Sequence, residues 1–204
     1  MPELPTAAAP HPPRLIVGLS GASGVIYGIR ALEMLREIGV ETHLIVSRAA
    51  EITLAHESSL KVAELLALAD HVHGVNDIGA VPASGSFKNL GMLIAPCSIK
   101  TMSEIASGVT SSLLSRAADV TLKERRRLVL MVRETPLHSG HLRSMLALSE
   151  MGAVIAPPVP AFYARPTSLD DIVTHTIGRM LDLFGLEAKG IRRWGEDVGP
   201  RLRD

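Results

Sequence analysis

One cysteine, one tryptophan, two tyrosines and three phenylalanines are all that this 204-residue chain holds of those types. A lone cysteine, Cys97, excludes an intrachain disulfide and fits a reducing, cytoplasmic setting. With so few rings, the core must be built from Leu, Ile, Val, Ala and Met. Neither sign of charge prevails, since Lys+Arg and Asp+Glu each number 21 and no long block of one sign occurs. Nucleic-acid binders usually carry a basic excess, so that class is set aside. No apolar run approaches the ~20 residues that cross a bilayer as a helix. The opening stretch, residues 1–13, has neither the basic nor the apolar region of a signal peptide and reads as a flexible proline-rich leader.

A hydrophobic content of 47% with 21% charged residues is that of a globular protein. The length suits one domain, placed at 14–185 and followed by a weakly periodic tail at 186–204 that is free to wrap a neighbouring surface. Apolar runs alternate with helix-period segments. Strands are expected at 14–19, 42–46, 71–75, 90–95, 127–132 and 153–156, and helices at 24–38, 48–56, 60–68, 99–106, 110–122, 139–151 and 169–184. Runs such as Gly91-Met92-Leu93-Ile94-Ala95 are apolar throughout, as strands buried on both faces must be. The alternation predicts a doubly wound parallel α/β sheet, whose ligands bind beyond the carboxyl ends of the strands.

The segments that follow the strands therefore carry the chemistry. After the first comes a turn with Gly18, Gly21 and Gly24 and the hydroxyls of Ser20 and Ser23, leading straight into a helix. Free amides at a helix N-terminus favour an anion, and hydroxyls can donate to it. The spacing G-x-x-G-x-x-G is neither the dinucleotide fingerprint nor a Walker loop, so the turn predicts a phosphate-bearing ligand without naming it. Ser47 stands where it can cap the next helix or serve the same anion. Residues 76–86 form a long loop of small residues, either solvated or a pocket wall. Pro96-Cys97-Ser98-Ile99-Lys100-Thr101 makes a second anion-capable turn, in which Cys97 reads as a buried small residue. The fifth strand ends on Arg133-Glu134-Thr135-Pro136, which offers an arginine for an anion and a carboxylate for proton transfer, or else a plain surface ion pair. His138 and His141 are three apart with no third ligand indicated, so no metal is assigned. Lys123-Glu124-Arg125-Arg126-Arg127 reads as a solvated basic face, with Arg116 on the same side of its helix. Residues 157–166 are too proline-rich for a helix and hold Tyr163 on a stiff connection. Arg179, on the last helix, is either a snorkelling surface residue or a phosphate ligand.

In order, Gly21-Ala22-Ser23-Gly24, Cys97-Ser98-Ile99-Lys100-Thr101, Arg116-Ala-Ala-Asp-Val, Leu122-Lys123-Glu124-Arg125-Arg126, Arg133-Glu134-Thr135-Pro136-Leu137 and Pro160-Ala-Phe-Tyr163 strongly resemble the flavin prenyltransferases of the UbiX type, once described as aromatic acid decarboxylase small subunits. The similarity runs from about Arg14 to Arg179. It implies a Rossmann-like, flavodoxin-type single domain that binds FMN and assembles as a homododecamer. It implies transfer of a dimethylallyl group from dimethylallyl monophosphate to nitrogen 5 and carbon 6 of reduced FMN, without a metal. The product, prenylated FMN, would serve a UbiD-type decarboxylase. By position, Gly21, Ala22, Ser23, Ser47, Ser98, Ile99, Lys100, Thr101 and Arg133 match the family's FMN-binding residues. Tyr163 and Arg179 match its dimethylallyl-phosphate ligands, and Arg116, Lys123 and Glu134 match further residues of the phosphate pocket. Ser23 and Glu57 match active-site positions, and Glu134 is expected to act as acid and base. Two departures are Arg48 in place of the family's usual lysine and Ile78 where some members have tryptophan, which leaves ring stabilisation of an allyl cation to the flavin or Trp194. The alternatives are a flavoprotein that decarboxylates directly, for which His43 and His56 are poorly placed, and a non-catalytic FMN-binding subunit of a decarboxylase.

Overall fold

The computed structural model describes residues 12–200, so nearly all of the leader and the last four residues of the tail lie outside the described residues. Six strands, β1 (Arg14–Leu19), β2 (Glu41–Val46), β3 (His71–His73), β4 (Gly91–Cys97), β5 (Arg127–Val132) and β6 (Val154–Ile155), form one all-parallel sheet in the order β3-β2-β1-β4-β5-β6. This is the doubly wound Rossmann order. Among the described residues seven α-helices accompany them, the first six between strands and the seventh after β6: α1 (Val25–Glu37), α2 (Arg48–Glu57), α3 (Val62–Leu66), α4 (Ile99–Ala106), α5 (Leu113–Lys123), α6 (Ser139–Glu150) and α7 (Leu169–Asp182). No helix among the described residues is long and apolar enough to cross a membrane.

Each central strand buries both faces, which is why β1, β4 and β5 read as unbroken apolar runs. Leu15, Val17 and Leu19 of β1 pack with Leu93 and Ala95 against α1, α2, α3 and α7. Ile16, Met92, Ile94 and Leu128 pack against α4, α5 and α6 on the other face. Each fully buried Leu or Ile in these layers contributes about 1.5–3 kcal/mol of transfer free energy. Helix α5 starts three residues later than the periodicity predicts, because Ser112 and Ser115 cap one another's backbone amides there. The edge strands β3 and β6 are shorter than expected, each having a single neighbour.

Gly28 lies inside α1 where the helix touches β4. An added Cβ would stand 2.5 Å from the Ala95 carbonyl oxygen and 2.7 Å from Leu19 Cγ. Alanine is the better helix former by ~1 kcal/mol, yet Gly28→Ala is expected to destabilise by about 1–3 kcal/mol through overpacking. The urea midpoint measures it, and an unchanged midpoint would show that α1 has room to retreat.

Candidate active site

Strands β1 and β4 are neighbours whose connections leave to opposite faces, and the crevice between their carboxyl ends is the fold's natural ligand edge. One buried serine ties the two turns together. The Ser20 amide and hydroxyl both donate to the Pro96 carbonyl (3.2 and 3.0 Å), and the Ser98 amide donates to Ser20 Oγ (2.7 Å). Ser20 is thus committed within the protein, contrary to the expectation that both turn serines face an anion, and that part falls to the exposed Ser23. Gly21 has its own packing reason: a Cβ there would lie 2.3 Å from the Ala49 side chain of α2. Gly24 adopts φ 101°, a conformation that suits glycine.

The amides at the start of α1 already have an anion. Gly24 and Val25 donate to Glu57 Oε2 at 2.8 and 3.1 Å, across 33 and 32 residues of sequence. Burial alone would raise the Glu57 carboxyl, but the Ser23 hydroxyl, these two amides and the Arg133 charge together hold it below the usual carboxylate range. The second helix N-terminus is open. Ser98 caps α4 by accepting from the Thr101 amide (3.3 Å) and donates to Thr101 Oγ1 (3.2 Å). The Ile99 and Lys100 amides, first in the helix, have no intrahelical acceptor. Thr101 is buried, whereas the Lys100 side chain is exposed and pairs with Glu104 (3.5 Å). Ser47 caps α2 by accepting from the Ala50 amide (3.2 Å), which leaves its own proton free to donate. Ala22 is buried beneath the first turn.

Beside this row of donors a cleft of about 650 Å³ opens, a size suited to a cofactor-sized ligand. Ser23, Gly24 and Tyr27 form one wall, Arg133, Glu134 and Thr135 the floor beyond β5, and Pro157, Pro158 and the first turns of α7 the far side. Arg30 of α1 grips Asp170 and Thr174 of α7 and so fixes the two helices that flank the opening. Glu134 is exposed, with Oε1 accepting from the Thr135 amide (3.0 Å). Tyr27 is a lining residue that the sequence did not single out. Its place one turn inside α1, three residues after Gly24, is the signal that was available. Burial pushes its phenol above the usual value, against the pull of Arg133, which keeps it a neutral donor.

Four of the expected residues lie elsewhere in this chain. Arg116 and Lys123 belong to α5, on the opposite face of the sheet from the cleft, paired with Asp119 (2.8 Å) and Glu124 (2.5 Å). Lys123 stands just before the start of β5, and the length of that strand, roughly 17 Å, separates it from Arg133. Tyr163 and Arg179 lie on the outer side of α7. Tyr163 meets His175 and Trp194 edge-on, both at 5.7 Å between ring centroids, and Arg179 pairs with Asp182 (2.6 Å). The tail reaches back over the same helix of its own chain, with Arg193 pairing with Asp182 (2.9 Å) and the Arg192 carbonyl meeting His175 Nε2 (3.2 Å). Trp194 and Ile78 are exposed and line no part of the cleft. Cys97 is buried, which pushes its thiol up to about 12 and leaves it inert as a nucleophile. His43 is on the wrong face for the cleft, and His56, exposed on α2, does not line it.

The chain matches the family model described as Flavoprotein over residues 6–181. The flavin prenyltransferase UbiX of Thauera aromatica is 56% identical over 181 residues, covering 89% of this chain and 93% of the relative. A crystal structure described as AnUbiX (PadA1) in complex with FMN and dimethylallyl pyrophosphate aligns with TM-score 0.89 at 49% identity, over 90% of this chain and 98% of that one. A dodecameric FMN-dependent UbiX-like decarboxylase from Escherichia coli O157:H7 aligns with TM-score 0.87 at 49% identity, over 89% and 98% of the two chains.

Proposed function

Since the chain belongs to the UbiX-type flavin prenyltransferases, a family of FMN-binding flavoproteins, we propose that its crevice and cleft together carry out prenyl transfer from dimethylallyl monophosphate to reduced FMN. The observation that carries this reading is the meeting of Ser23, Glu57, Arg133 and Glu134 beside the α4 N-terminus, whose first two amides have no intrahelical acceptor. FMN, when bound in its reduced form, supplies the nucleophilic nitrogen 5 and carbon 6.

The residues fit that ligand. The α4 amides of Ile99 and Lys100, with the hydroxyls of Ser47 and of Thr101, the latter oriented by Ser98, are a phosphate donor set at a helix N-terminus. The backbone of Gly21 and Ala22 borders it, and Arg133 adds a positive charge. The Glu57 carboxylate orients the Ser23 hydroxyl at the mouth of the cleft. Breaking the allylic C–O bond leaves a delocalised cation on the prenyl group and charge on the departing phosphate. That charge needs preorganised cations and donors. Arg133 comes from the same chain. Arg116, Lys123, Tyr163 and Arg179 reach a cleft only from neighbouring copies, because the sheet and α7 separate them from their own. A dodecameric assembly like that of the Escherichia coli relative supplies such neighbours. Glu134 would give a proton to the leaving phosphate and take back the one released from carbon 6, while the proton lost from nitrogen 5 would go to the prenyl alkene and so permit the bond to carbon 6. Prenylated FMN then passes to a UbiD-type decarboxylase, and a cytoplasmic setting suits a chain with one free cysteine.

Incubation with FMN, dithionite and either dimethylallyl monophosphate or the pyrophosphate, followed by mass spectrometry of the released flavin, tests the reading. A gain of one prenyl unit with the monophosphate is expected. Bound flavin that is reduced yet never gains mass would mark the protein as a non-catalytic flavin carrier.

A further inference from the structure

On the other face of the sheet, away from the cleft, β2 and β3 bring together side chains that prenyl transfer does not use. The parallel register sets His43 opposite His71, and alternation along each strand puts Glu41 beside His43 and His73 beside His71 on the same face. His43 Nε2 lies 3.0 Å and His71 Nε2 3.5 Å from Glu41 Oε1, and the three groups' ligand atoms all fall within 4.8 Å of one another. Tetrahedral zinc with Zn–N and Zn–O bonds near 2.05 Å needs ligand atoms about 3.3 Å apart. Two of the three separations bracket that value. The third closes by a small movement of His71, whose side chain is half exposed.

We infer that Glu41, His43 and His71 form a site for a divalent transition-metal ion of the zinc, cobalt or nickel kind, with water completing the coordination and His73 holding His43 in place. Imidazole and carboxylate together suit these ions, whereas magnesium and calcium prefer oxygen alone. His43 Nδ1 lies 2.9 Å from His73 Nε2, the outer hydrogen bond that a ligating histidine normally makes. Without metal, neutral rings satisfy every contact if His73 donates to His43 and His43 donates to Glu41. With metal on His43 Nε2, each ring shifts its proton to Nδ1 and the His43–His73 bond runs the other way, with no net release of protons.

The surroundings support a built site. Arg14 Nε donates to Glu41 Oε1 (3.0 Å) and holds the carboxylate in place, while the second carboxylate oxygen stays available. Phe87 covers His43 edge-on at 4.6 Å and receives the Arg14 guanidinium on its face at 5.6 Å. The exposed His71 leaves an entry path. Because the sheet lies between this group and the cleft, the site calls for no metal in prenyl transfer.

Titration of the untagged protein with Co²⁺, followed by its visible absorption, and with Zn²⁺, followed by calorimetry, tests the inference. One ion per chain is expected, with a tetrahedral cobalt spectrum. His71→Ala, a surface change, should weaken binding by roughly tenfold or more, and His73→Phe by about 10–100-fold. The double variant His138→Ala, His141→Ala should bind as the parent does. Absence of a stoichiometric site in the parent, undiminished binding by His71→Ala, or loss of binding in the His138/His141 variant would each overturn it.

Discussion

Glu134→Gln is expected to hold FMN with unchanged affinity while its turnover falls roughly 10²–10⁴-fold, the usual contribution of a positioned acid or base. The change keeps the shape and the acceptor oxygen that takes the Thr135 amide, so the segment beyond β5 should hold its course. It removes only the capacity to give and receive a proton. The phosphate donors on α4 and at Ser47 are untouched, which is why flavin binding separates from chemistry. Flavin fluorescence titration and single-turnover mass spectrometry measure the two quantities. Turnover within a few-fold of the parent would assign the proton to another group, with the Ser23–Glu57 pair next in line.

The second large effect is recovery of activity by mixing two crippled chains. Lys123→Ala is expected to lose about 10²–10³-fold in rate, as loss of a charge that meets the leaving phosphate should. Lys123 lies on the far face of the sheet from its own cleft, so its contribution has to be made to a neighbour. Co-expressed with Glu134→Gln, the two variants form clefts in which Glu134 of one copy faces Lys123 of another. If one copy supplies each residue and assembly is random, about a quarter of the clefts are intact, and activity should return to that share of the parent's. Mixed assemblies no more active than either variant alone would show that Lys123 does not serve across copies.

The architecture was readable in the sequence because its physics is local. Strands buried on both faces must be apolar throughout, so β1, β4 and β5 stand out, and Ser47 and Ser98 mark helix starts by the hydroxyls that cap them. Arg133 and Glu134 were readable for the same reason, since a charged pair directly after a buried strand has to emerge at the ligand edge. What was not readable depends on long-range placement. Nothing near Glu57 announces that it will cap a helix that begins 32 residues earlier. Nothing around Arg116 or Tyr163 tells which side of the sheet or of α7 each will occupy. His43 and His71 become a pair only through the β2–β3 register, which depends on where a connection of some two dozen residues, holding α2 and α3, lets β3 begin.

The carboxylate at the head of α1 has a consequence for ligand polarity. Two helices point their positive ends into one crevice, and in a symmetric arrangement an incoming phosphate would have two equal seats. Glu57 fills one of them with fixed negative charge. A phosphate near α1 therefore meets repulsion, and one near α4 meets open amides. The crevice is directional before any ligand arrives: on the proposed reading a flavin would lie along it in one sense, phosphate towards α4 and ring towards Ser23. The chain's own acid acts as the reference that tells the head of the ligand from its tail.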